Sequence, residues 1–181
     1  MNVFFIIMII LILICFILVF YANTYNTFQS LIIRINEAEA NIDATLRKRF
    51  DLLNKSISII KGNIDYEGEV LELIVKLRSR KISNFELDRQ IYEAINEFNY
   101  FKDSFPSLQE CDGLIKIEGS LNESEHEITA LRKYYNDTIT TYNKLVRKFP
   151  SNLVAKISKY KEKTYYDGKN LNDDITNDFK L

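Results

Sequence analysis

The sequence has no tryptophan, one histidine, two prolines, five glycines and two cysteines among its 181 residues. Each scarcity excludes something. A metal cage built from histidines cannot form in one chain whose only histidine is His126. Few glycines and prolines leave few places to turn, so long uninterrupted elements are expected. A net charge excess is missing too: 24 Lys+Arg against 25 Asp+Glu leave −1, whereas a general nucleic-acid binder carries a basic surplus. No Gly-rich phosphate loop is written anywhere in the chain. Cys15 lies in an apolar run and Cys111 in a polar one, so they read as two unpaired thiols.

What is present starts with grease. Val3 to Tyr21 is a run of 19 residues with no charge, glycine or proline. As a helix it reaches about 28 Å, close to the hydrocarbon thickness of a bilayer. Phe4, Phe5, Phe20 and Tyr21 stand near its two ends, where aromatic rings favour the interface. A cleaved signal peptide would need cations before the run and a small-x-small site after it. Neither is there, and Ile14 before Cys15 does not suit a lipoprotein signal. An uncleaved anchor over residues 1–24 is the expectation. Arg34 is the sole cation close to either end of the run, on its C-terminal side, which favours a cytoplasmic body.

The body follows helical spacing. Leu31, Ile35, Ala38, Ile42, Leu46, Leu53, Ser56 and Ile60 recur in steps of three and four, with Arg49 in the remaining stripe position. Gly62-Asn63 supplies a stop. A second helix is expected from Asp65 to Arg80. A third starts at Ser83 with Glu86 three residues on, carries Ile91, Ile95, Phe98 and Phe101 or Lys102 inward, and ends before Pro106. Residues 106–116 read as a loop. A long fourth helix then runs through Ile117, Leu121, Ser124, Ile128, Leu131, Tyr135, Thr138, Tyr142, Leu145 and Phe149 to Pro150, and Ser151 can cap a short helix reaching about Lys163. Tyr135, Tyr142 and Phe149 are spaced by seven, so they share a face and are expected in a bundle core. The competing reading, a stacking platform for bases, lacks the basic groove it would need. Residues 164–181 read as a polar, flexible tail. The fold class expected is all-α, an anchor helix continuing into an up-and-down antiparallel four-helix bundle over residues 25–163.

Several of these residues carry a family resemblance. Tyr25-Asn26, Ala38, Ile42-Asp43, Leu46, Arg47-Lys48-Arg49, Asp51-Leu52 and Lys61-Gly62 resemble the first conserved block of the LemA family. Arg132, Tyr134-Tyr135-Asn136, Tyr142-Asn143 and Phe149-Pro150 resemble its second block, and Phe105-Pro106 and Glu123-Ser124-Glu125 are similar to two shorter motifs. Glu39 stands where the family usually has Trp, and residues 63–104 follow the pattern loosely. The resemblance implies a bacterial single-pass envelope protein with a helical bundle and no known catalytic activity.

If the first and fourth body helices run antiparallel, positions facing each other sum to about 175, given an equal rise along both. That sum sets Asp43 near Arg132, and Arg47 and Arg49 near Glu125 and Glu127. The Arg47-Lys48-Arg49 triplet then reads as interhelical ion pairing, or alternatively as a patch for a partner. The same geometry returns Arg147, Lys148, Lys156 and Lys159 towards the membrane, either to touch anionic lipid or to stay solvated. Candidate chemistry is thin. Asp173-Asp174 lies in the tail, and Glu123-x-x-His126 is one half of a di-metal signature that needs two. No cofactor or metal is expected. The expected role is a non-enzymatic, membrane-anchored structural or interaction module whose partners are the bilayer and other envelope proteins, with no nucleic acid. A membrane-tethered sensor of a small ligand is the alternative.

Overall fold

The computed structural model describes residues 2–63 and 83–167. The helix expected over 65–80 lies outside the described residues. Among these the fold is entirely helical, without strands: α1 (Asn2–Asn63), α2 (Asn84–Ser104), α3 (Pro106–Gln109), α4 (Asp112–Arg147) and α5 (Ser151–Ile157). The chain divides into two compact units, one made of residues 1–37 and 135–181, the other of 38–134.

The single helix α1 takes in both the apolar run and the first amphipathic stretch, 62 residues in all. Its first part is uniformly apolar, and no other described residue covers it. It is thus a candidate transmembrane span, and a single-pass membrane protein fits it.

In the unit of residues 38–134, α1 buries Ala38, Ile42, Leu46, Leu53, Ser56 and Ile60, the stripe read from the sequence. Ser83 caps α2, its hydroxyl accepting the Glu86 N–H at 3.2 Å, while the Glu86 carboxylate accepts from Arg89 and Gln90. Phe105 leaves the α region ahead of Pro106 and stops α2. The stretch expected as a loop over 106–116 is instead α3 and the first turn of α4. Pro106 at the head of α3 needs no donor there, and the Cys111 carbonyl accepts from Leu114 and Ile115 to begin α4. Leu108 and Leu114 are buried by this arrangement. Arg49 meets Glu125, Lys48 meets Glu127, and Gly113 lies against Ile59, so α4 runs antiparallel to α1. Asp88 meets Arg132 and Lys102 meets Glu118, so α2 also runs antiparallel to α4.

In the other unit, Phe28, Leu31 and Ile35 of α1 are buried, as are Tyr135, Thr138, Ile139, Tyr142 and Asn143 of α4. Phe149 corrects the expected stripe: it is 73% exposed. The reason is that α4 stops at Arg147, two residues short, and the chain turns at 148–150 before α5. Ser151 does not cap α5 through its side chain. Its hydroxyl donates to the carbonyls of Leu145 and Lys148, both at 2.7 Å, and so closes the end of α4. The short helix ends at Ile157, not near Lys163. Lys159 takes φ 58, the Tyr160 N–H reaches back to the Ala155 carbonyl and the Lys159 N–H to that of Lys156. This is the Schellman stop, with lysine where glycine is usual.

Candidate functional site: a buried ion cluster and a clasped C-terminal segment

Arg49 occupies an apolar stripe position on a helix, so its guanidinium is carried into the core; it is 1% exposed. A buried charge demands counter-charge and hydrogen bonds. Glu125 on α4 supplies one oxygen at 2.5 Å from Nη2. Asp88 on α2, 3% exposed, places Oδ1 3.7 Å from Nη1. Arg132, seven residues and two turns beyond Glu125, pairs with the other Asp88 oxygen and lies 4.0 Å from Glu125. Two cations and two carboxylates from three helices therefore close a neutral ring. A second pair, Lys102 with Glu118, joins α2 to α4 farther along, with Asp103 at 3.8 Å.

Of the expected pairings, Arg49 with Glu125 is present. Asp43 does not meet Arg132; it pairs within its own helix with Arg47 at 2.9 Å, four residues on, both at the surface. Glu127 faces Lys48 at 3.5 Å rather than Arg47 or Arg49. The sequence reading missed Asp88, yet the signal was there: Asp88, Ile91, Ile95, Phe98 and Lys102 continue one stripe, so a carboxylate sits inward opposite a helix whose stripe holds an arginine. His126 is exposed. Among the described residues no group of His, Cys, Asp and Glu could hold a metal ion.

The second constellation belongs to the unit of residues 1–37 and 135–181. Beyond Lys159 the chain runs without helix from Tyr160 to Asp167 and is held by side chains. The buried Asn143 amide makes two bonds to one residue: Nδ2 donates to the Lys163 carbonyl at 2.7 Å and Oδ1 accepts the Lys163 N–H at 2.9 Å. One heptad earlier Asn136 accepts the Tyr166 N–H at 2.9 Å. The two Tyr-Asn pairs, Tyr135-Asn136 and Tyr142-Asn143, thus divide their labour. Each tyrosine turns inward and each asparagine grips passing backbone, meeting polar groups that have no helix to serve them. Thr140 and Tyr165 hydroxyls meet at 3.1 Å, the Tyr166 ring packs edge-on against Tyr135, and Arg147 forks onto Glu162 at 2.8 and 2.6 Å. Tyr165 and Tyr166, expected at the head of a flexible tail, belong to this clasped segment, as their bonds show.

Tyr160 anchors the upstream end. Its ring lies 4.7 Å from Phe28 and 6.1 Å from Tyr25, and its hydroxyl accepts from Gln29 at 2.6 Å. Phe28 in turn meets Tyr142 edge-on at 5.6 Å. The Tyr21 hydroxyl is 3.1 Å from that of Ser158. Burial pushes the Tyr142 and Tyr160 phenols above their ordinary range. The Arg147 hydrogen bonds hold the Glu162 carboxyl below its own. Lys148, Lys156 and Lys159 are exposed, and Pro150 lies in the turn before α5.

The LemA family model matches residues 38–179, more than three quarters of the chain. The chain belongs to the LemA family. A curated relative, Protein LemA of Metamycoplasma hominis, is 27% identical over 129 residues, which is 67% of this chain and 58% of that protein. The chain thus spans little more than half the length of that relative. The LemA match takes in the ion cluster and, towards its end, the clasped segment.

Proposed function

We propose that this LemA-family chain is a membrane-anchored, non-enzymatic structural and protein-interaction module, with its body in the cytoplasm. The observation that carries the reading is where its polar chemistry is spent. Arg49, Asp88, Glu125 and Arg132 answer one another across three helices, an arrangement that fixes helix register rather than presenting groups to a substrate. Meanwhile α2 turns large aromatics outward: Phe85, Tyr92 and Tyr100 are all exposed along one side of it. Exposed aromatic rings are the residue type enriched at protein interfaces. The partners so implied are proteins of the same membrane.

The test is site-specific photocrosslinking from positions 89 and 96, exposed between these rings on α2, in the full chain in its native membrane. Defined protein adducts that disappear when Tyr92 and Tyr100 become serine are expected. A ligand-dependent rise in melting temperature without adducts would overturn the reading in favour of a sensor. Membrane-impermeant thiol labelling of a cysteine added at the C-terminus tests the side, with protection in intact cells expected.

A further inference from the structure

The short helix α5 is amphipathic in an unusual sense. Ser151, Val154 and Ala155 are buried against the rest of their unit, while Leu153 and Ile157, four residues apart on the opposite side, are 50% and 68% exposed. Phe149 in the preceding turn adds a third bare apolar side chain. Lys148, Lys156 and Lys159 are interspersed with the three along the chain and are themselves exposed. Single apolar residues at a surface are ordinary, but three bare apolar side chains interspersed with lysines have the composition of a helix lying in a membrane interface.

The structure also says what lies next to it. The hydroxyls of Tyr21 and Ser158 are 3.1 Å apart. Tyr21 is the last residue of the apolar run, and Ser158 directly follows Ile157. Tyr21 stacks on Tyr25, which meets the ring of Tyr160, two residues past Ser158, at a tilt of 34°. These contacts hold α5 at the level where the apolar run of α1 ends. We infer that α5 is a second membrane contact, an interfacial foot that seats Phe149, Leu153 and Ile157 among the upper acyl chains and sets its lysines against anionic headgroups. The inference rests on reading α1 as a membrane span and adds to it a surface that fixes the body against the bilayer. The seat is about 5–10 Å deep, which the apolar side chains reach and the lysine stems can bridge.

The absence of tryptophan gives a clean probe. Leu153→Trp and Ile157→Trp each introduce a single indole at an exposed position, with Val19→Trp within the span and Asp137→Trp on the exposed side of α4 as references. The full chain is reconstituted in phosphatidylcholine–phosphatidylglycerol vesicles whose lipids carry bromine on the upper acyl chain. Bromine should quench L153W, I157W and V19W and spare D137W, and changing Lys148, Lys156 and Lys159 to Gln should weaken quenching of L153W. Quenching of V19W with none at 153 or 157 overturns the foot and leaves the anchor standing. No quenching at 19 removes the anchor and the foot with it. Emission at 153 that shifts blue as the protein-to-lipid ratio rises, without bromine quenching, assigns the face to a second copy and also overturns the inference.

Discussion

Arg49 shows how much one residue can decide. A fully buried guanidinium is tolerated because Glu125 and Asp88 reach it from two other helices. Its removal and the removal of Asp88 should differ in cost. Arg49→Met leaves both carboxylates facing Arg132, so a loss of about 3 kcal/mol is expected, at the low end for a broken buried pair. Asp88→Ala leaves the buried Arg49 and the half-buried Arg132 both drawing on Glu125, and about 5 kcal/mol is expected. Urea melts of the two variants, monitored by helical circular dichroism, check the order. Gly113 is a smaller case: an added methyl would sit 3.0 Å from Cδ1 at the far end of the Ile59 side chain, which a small torsional shift relieves, so Gly113→Ala should change stability by under about 1 kcal/mol.

At the scale of elements, the long helices and their buried faces were written in the sequence because spacing alone reports them, whereas the four-residue α3 is too short to show a period. Leu31 to Ile60, Ile91 to Phe101 and Ile117 to Tyr142 each repeat the helical period, and burial follows that repeat. The clasped segment was not legible, because Ser158 to Asp167 has no period and its bonds run from side chains to backbone. The end of α5 was hidden for a related reason: Lys159 takes a left-handed conformation that sequence readers expect of Gly or Asn. The seven-residue spacing of Tyr-Asn pairs was the available clue, and it was read for its rings instead of its amides. Asn143→Ala removes both bonds to Lys163 and should cost about 1–3 kcal/mol. Hydrogen exchange should quicken at the Lys163 and Tyr166 amides, with the α2 amides unchanged. The segment should also loosen at both ends of the pH scale. The Glu162 carboxyl is lowered from 4.5, so its contribution is present above that value and lost as pH falls through the folded value. The Tyr142 and Tyr160 phenols are raised from 10.0, so theirs is full below that value and lost as pH rises through the folded ones. Ultraviolet phenolate absorbance should resolve a late-titrating set that shrinks in Tyr160→Phe.

For the whole molecule, the notable property is which parts of the chain make which unit. One unit is formed within residues 38–134; the other joins described residues before 38 to those of 135–167. Gln29 and Tyr160, hydrogen-bonded to each other, are 131 residues apart in sequence. The order of synthesis then matters. At roughly 5–20 residues per second, a ribosome reaches Tyr160 roughly 6–26 seconds after Gln29. Through the later part of that interval Phe28, Leu31 and Ile35 are outside the exit tunnel without the rings and backbone that will cover them. A nascent chain whose Tyr160 is still inside the ribosome should therefore display this seam to whatever chaperone or insertion factor is nearby, and one in which Asp167 has cleared the exit should not.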